Sequence, residues 1–202
     1  MNFWDQKFSV DGYKYGTAPN AFLAAQVARF PPAADILVPG DGEGRNGTWL
    51  AQQGHRVVSM DGSAVGLEKA RALADRLGVK IQTIRGDLAN WTPVPASADI
   101  VALTFVHLPP TIRRDALRRL AAALRPGGCF VLEAFHPRQM GYSSGGPKEE
   151  EMLYTLSMLR DDLGDLLTEV EAWEGEVVLD EGPGHQGPAY VTRWVGQRSA
   201  AV

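Results

Sequence analysis

Short apolar runs separated by longer amphipathic segments set the strongest constraint on this 202-residue chain. ADILVP (34–39), HRVVSMD (55–61), KIQTIRG (80–86), ADIVALTF (98–105) and CFVLEAF (129–135) read as strands. Helices are predicted over 45–53, 63–77 and 112–124, with Ser63 and Thr111 as N-terminal caps and Gly54 and Gly78 as C-terminal ones. WTPVPAS, between the third and fourth strands, is a proline-punctuated loop. Parallel strands need crossover connections, so this alternation points to a mostly parallel sheet with helices on both faces. Beyond Phe135, HPRQMGYSSGGP leads into a helix over about 148–163. Two β-like segments, 168–180 and 188–197, then flank EGPGHQG, the pattern of an antiparallel hairpin at the sheet edge. The expectation is one α/β domain over residues 1–202.

Residues 1–30 depart from the alternation. FWDQKFSVDGYKYG carries Phe3, Trp4, Phe8, Tyr13 and Tyr15 with no strand or helix period, ahead of a helix starting near Pro19. Rings of this size need cover. Either they lie on the outside of the sheet, or they form a lid over the crevice at the strand C-termini. The second reading puts Tyr15 at the substrate pocket.

The formal net charge of −4 argues against a primary role on nucleic-acid backbones. One cysteine, Cys129, sits in the apolar run GGCFVLEAF and reads as a small buried hydrophobe in a reducing compartment. MNFWDQKFSV has no apolar core of signal-peptide length, and no run approaches the roughly 20 residues of a membrane helix. No Cys/His cluster has zinc-ligand spacing, so no metal is expected. The arginines of TIRRDALRRLAAALRP read as a solvated helix face. A cytoplasmic protein acting on a small molecule, without membrane or nucleic acid, is the resulting expectation.

The most specific stretch is ILVPGDGEGRNG (36–47). Gly40, Gly42 and Gly44 follow a strand and precede a helix, as in a dinucleotide-binding turn, but Arg45 stands where that fingerprint has its third glycine. Asp41 and Glu43 would oppose a pyrophosphate at the helix N-terminus. The loop suits a ligand with an adenosine and positive charge in place of phosphate, which describes S-adenosylmethionine. Asp61, followed by Gly62, ends the second strand about 20 residues on, where a carboxylate accepts from ribose hydroxyls. Asp87, after the third strand, is placed to accept from an adenine amino group, or else caps a turn.

With these residues in place, the chain resembles the class I S-adenosylmethionine-dependent methyltransferases. Within them, GEGRNGTWLAQQGHRVVSMDGS and the aromatic leader with YGTAPN resemble the small bacterial tellurite-resistance type. The resemblance implies a three-layer, doubly wound, seven-stranded sheet of order 3-2-1-4-5-7-6 with strand 7 antiparallel. It implies that Gly40, Gly42 and the loop amides, with Gly44 and Arg45 beside them, hold the methionine half. It assigns the ribose to Asp61 and the adenine to Asp87 with the Leu88 amide. Many family members carry an acid two positions before the first glycine, where this chain has Val38. The methionine ammonium then relies on Asp41 or on carbonyls near Thr104 and Phe105.

After the fourth strand, FVHLPPT has His107-Leu108-Pro109-Pro110 where methylases of DNA amino groups carry an Asn-Pro-Pro-aromatic pattern. His107 is the one catalytic candidate, as a base or acceptor-orienting group; otherwise it packs at the strand end. His136, Arg138 and His185 read as solvated loop residues. The expected activity is direct, metal-independent methyl transfer to a thiol, a metalloid oxyanion or a small metabolite. Its rivals are an S-adenosylmethionine-binding protein without turnover and a nicotinamide-dependent oxidoreductase.

Overall fold

The computed structural model describes residues 3–200; the first two residues of the leader and the last two of the expected domain lie outside it. Strands β1 (Asp35–Pro39), β2 (Arg56–Asp61), β3 (Gln82–Arg85), β4 (Ala98–Thr104) and β5 (Leu124–Phe135) pair in parallel. β7 (Gln186–Arg198) runs antiparallel between β5 and β6 (Leu167–Asp180). The sheet order is β3-β2-β1-β4-β5-β7-β6, as expected. β1 shows why two layers of helix are needed. Its side chains alternate, and both faces are apolar. Ile36 and Val38 pack with Phe22, Leu23 and Leu50 under α2 (Ala21–Gln26) and α3 (Arg45–Gln52). Leu37 packs on the other face with Leu117, Leu120, Leu159 and Leu163 of α5 (Pro110–Ala122) and α6 (Leu156–Leu163). α4 (Ala64–Leu77) starts on Ser63, whose hydroxyl accepts from Gly66 N, and stops at Gly78 (φ +67). Both caps follow the sequence reading.

Several local expectations fail. The leader does form a helix, α1 (Phe3–Phe8), with Asp5 bonded at the start of α4: its Oδ1 accepts from Ser63 Oγ at 2.7 Å and from Val65 N at 3.3 Å. Thr111 caps nothing: α5 begins two residues earlier than expected, at Pro110, with Pro109 in the cap position. A proline at the first helical position needs no N–H there and fixes a helical φ. The acidic stretch before α6 is a 3₁₀ turn (Glu150–Met152), and α6 itself starts after Thr155. Burial of both Leu153 and Tyr154, with Tyr154 N donating to Phe135 O, pulls this segment out of the helix. β5 begins at Leu124, but its register on β4 jumps across RPGG, from Ala98–Leu124 to Ile100–Cys129. The α5 arginines are a solvated face only in part: Arg114 is exposed, while others are tied to neighbouring elements. Arg113 pairs with Asp162, Arg118 with Asp165, and Arg119 donates to Leu88 O at 2.6 Å, fixing the turn after β3. Cys129 is half-buried, and burial pushes its thiol up.

Candidate functional site

The parallel strands end on one edge, and the loops leaving β1, β2, β3 and β4 wall a cavity of about 740 Å³ there. That lies within the range of small-ligand sites, about 300–1,000 Å³. The position, at the carboxyl ends of strands beside the β1/β4 reversal of strand order, is where open α/β sheets bind ligands. Gly40, Asp41, Gly42, Arg45, Asp61, Gly62, Asp87, Leu88, Thr104 and Phe105 all line it, as do Tyr15 and His107.

Gly44 does not. Its φ is +86, and a Cβ there would stand 2.5 Å from Ala70 Cβ and 2.7 Å from Ala70 Cα. It is a close-packing glycine between α3 and α4. Gly42 does face the cavity, and a Cβ on it would strike the Phe8 ring at 2.8 Å.

The two loop acids serve the loop. Asp41 turns beneath it, its carboxylate accepting from Ser59 Oγ at 2.6 Å and from Gly47 N at 3.2 Å. A Cβ at Gly47 would lie 2.4 Å from that carboxylate, which accounts for glycine after Asn46. Burial pushes the Asp41 carboxyl up to about 6, against the pull of these hydrogen bonds. Glu43 pairs with Lys69 Nζ at 2.9 Å and accepts from Lys14 N at 2.7 Å. Their charge is therefore largely spent inside the protein, and the electrostatic case against a pyrophosphate is weaker than the sequence implies. Asp41 is also engaged where an ammonium would need it; the backbone near Thr104 and Phe105 remains at the cavity wall.

Asp61 closes β2 with its carboxylate buried under the loop. Oδ2 accepts from Gly42 N and Oδ1 from Ser63 N, both at 2.8 Å. Burial raises its pKa despite these bonds. The Gly62 backbone bonds the carboxylate as well, so three of about four lone-pair sites are taken and one is left for a ligand hydroxyl. Asp87 is exposed and accepts from Ala89 N at 2.9 Å, so it caps a turn while lining the cavity.

Arg45 is drawn into a buried polar network. Its Nη2 lies 2.6 Å from Glu181 Oε2 in the β6–β7 turn. Asn20 Nδ2 donates to Glu181 and to Glu133, Asn20 N donates to Asn46 Oδ1, and Asn46 Nδ2 donates to Thr104 Oγ1. Arg193 balances Glu133 at 2.6 Å. Asn20 is the N-cap of α2, so the R-N of the loop joins the glycine turn, the start of α2 and the hairpin.

His107 is held as a half-buried strap. Its Nε2 accepts from Phe135 N at 2.9 Å, and a hydrogen bond with the Phe105 backbone also engages the ring. Burial holds its pKa down to about 4. These ties favour the packing reading over the base. The site residue that sequence reasoning missed is His185. Instead of being solvated, it is 6 % exposed and forms cavity wall. Tyr15 and Phe105 flank its ring, with centroids at 4.5 Å each. Phe105 reaches it from a left-handed backbone, φ +54. The clue in the sequence was GPGHQG, glycines that allow a histidine to fold inward. His136 and Arg138 stay outside the cavity.

From the leader, Phe3, Trp4, Phe8, Tyr15 and Gly16 also line the cavity, with Phe3 61 % and Trp4 44 % exposed at its mouth. Among the described residues no helix is long and apolar enough to cross a membrane.

Residues 36–128 match the family described as Methyltransferase domain. A carboxy-S-adenosyl-L-methionine synthase of Photobacterium profundum is 31 % identical over 85 residues, 41 % of this chain and 35 % of that protein. The tRNA 5-carboxymethoxyuridine methyltransferase of Escherichia coli is 32 % identical over 109 residues, 50 % of this chain and 40 % of that protein. The chain therefore spans well under half the length of these curated relatives. TehB from Haemophilus influenzae superposes with a TM-score of 0.72 at 16 % identity, covering 98 % of this chain and 66 % of that one. A 1,6-didemethyltoxoflavin-N1-methyltransferase from Burkholderia thailandensis, solved with S-adenosylhomocysteine, gives 0.64 at 21 % identity, covering 88 % and 76 %. The fold is that of the class I methyltransferases.

Proposed function

We propose that this chain, which has the class I methyltransferase fold and matches the methyltransferase domain over residues 36–128, is an S-adenosylmethionine-dependent methyltransferase with a small-molecule acceptor. The observation that carries the reading is one cavity lined by Gly40, Gly42, Asp61 and Asp87 at the ends of β1, β2 and β3. The fit is chemical. Glycines leave the loop backbone accessible, Asp61 offers acceptors for vicinal hydroxyls, and Asp87 with the Leu88 amide suits an adenine edge. When bound, S-adenosylmethionine supplies an electrophilic methyl group. The chain's own part is to orient the acceptor, exclude water and close the leader over both. The acceptor would be a thiol, a metalloid oxyanion or a small metabolite. A small acceptor is favoured over RNA by the net charge of −4 and by a cavity of small-ligand size whose mouth carries Phe3 and Trp4.

Methyl-labelled cofactor incubated with purified protein, a panel of small acceptors and bulk tRNA tests this. Label in the small-molecule fraction is expected. Label in tRNA alone would overturn the acceptor class, and binding without transfer to any acceptor would favour a silent cofactor-binding protein.

A further inference from the structure

Resting on the methyltransferase reading, a narrower acceptor class follows from His185. Its Nδ1 is buried and has no hydrogen-bond partner among the described residues, which is costly unless something supplies one. The ring is fixed from several sides. Tyr15 and Phe105 flank it, Phe135 meets it edge-on at 5.3 Å, and Gly145 makes room, since a Cβ there would lie 2.8 Å from His185 Cδ2. Such an arrangement keeps a polar edge in an otherwise aromatic wall. Burial, with Arg45, His107 and Lys14 adding to it, holds the ring's pKa down to about 3, so it is neutral at physiological pH.

The cavity's charge points the same way. Arg45 is matched by Glu181 and Glu43 by Lys69. With Asp41 turned beneath the loop onto Ser59 and Gly47, that leaves Asp61 and Asp87 against Arg85 in the lining. An oxyanion would enter an acidic chamber and lose hydration for little return. A neutral molecule with a hydrogen on its nucleophilic atom would satisfy the orphan nitrogen and stack on the flanking rings.

We infer that His185 is the acceptor-positioning residue and that the acceptor is a neutral, planar molecule presenting an O–H, N–H or S–H to its Nδ1. Tyr15, on the leader, covers the ring and is the side chain displaced as the acceptor enters.

The test is calorimetric titration of phenol, anisole, benzoate and selenite into the full chain saturated with S-adenosylhomocysteine. Phenol should bind at least about tenfold more tightly than benzoate or selenite. His185→Phe should weaken phenol about fivefold, the worth of one hydrogen bond, while leaving anisole unchanged. His185→Gln, which keeps a polar edge, should retain most of the phenol affinity and controls for folding. Tighter binding of benzoate or selenite, no phenol binding, or phenol affinity indifferent to His185→Phe would overturn the inference. Failure of S-adenosylhomocysteine itself to bind is read in its own titration and would instead remove the methyltransferase reading.

Discussion

Arg45 Nη2 sits 2.6 Å from Glu181 Oε2, and both side chains are buried. This pair clamps the β1–α3 loop to the tip of the β6–β7 hairpin, elements far apart in the chain. Removing one partner strands the other charge away from water. Glu181→Ala should therefore cost about 3–5 kcal/mol in urea denaturation. Arg45→Met with Glu181→Leu should cost much less, because neither charge is then left alone. Equal losses in the single and double variants would show that the two residues do not act as a pair.

Gly44→Ala tests the third loop glycine as a packing residue. The new methyl would meet the Ala70 backbone, and φ +86 is strained for alanine. A loss of about 2–4 kcal/mol is expected. Gly54→Ala, at φ +89 with open space around it, should cost only about 1–2 kcal/mol. Similar losses at both positions would remove the packing role.

What the sequence made legible was local. Strand β1 and its glycine turn are written within residues 34–47, and Ser63 and Gly78 bracket α4 because capping depends on immediate neighbours. The place of Asp61 and Asp87 at the cavity wall was readable because they follow strands. The miss at Thr111 is local, Pro110 being the better first helical residue; the misses at the site are long-range. Gly44 looks like a ligand glycine until Ala70 packs on it. Asp41 and Glu43 look free until Ser59 and Lys69 reach them. His185 looks solvated until Tyr15, Phe105 and the turn at Gly145 close around it. The six-residue α1 is too short to nucleate alone, so its helix depends on docking at Ser63.

Asp41 should leave a signature in the pH dependence of stability. Its folded pKa, about 6, lies above its ordinary 3.8. Between about pH 4 and 6 the native state holds a proton that the unfolded chain has released, so this group's contribution is greatest at low pH and is lost as pH rises. Relative to wild type, Asp41→Asn should gain up to about 3 kcal/mol between about pH 4 and 7. His107, depressed to about 4, acts oppositely, losing stability as pH falls below about 6.5, but does so in both proteins. Chemical denaturation of the two proteins across this range measures the difference, and a constant offset would contradict the shift.

The leader is tied down by Lys69, which donates to Val10 O at 2.8 Å and Gly12 O at 2.7 Å, and by Gly184 N, which donates to Lys14 O at 2.8 Å. These are hydrogen bonds at a partly exposed surface, suited to opening without global unfolding. As a lid, it should show slower amide exchange over 3–16 when S-adenosylhomocysteine is added, and deletion of 1–16 should reduce transfer more than stability. Exchange unchanged by ligand, with a deletion that unfolds the protein, would make the leader structural packing.

Calorimetric titration of S-adenosylhomocysteine and of NAD into wild type and Asp61→Asn tests the central claim most directly. Asp61 faces the cavity between the glycine loop and Gly62. Charge-assisted hydrogen bonds to ribose are worth about 1.5–3 kcal/mol. S-adenosylhomocysteine should bind wild type more tightly than NAD does and lose at least about tenfold in Asp61→Asn. Tight NAD binding with no detectable S-adenosylhomocysteine binding would contradict the account.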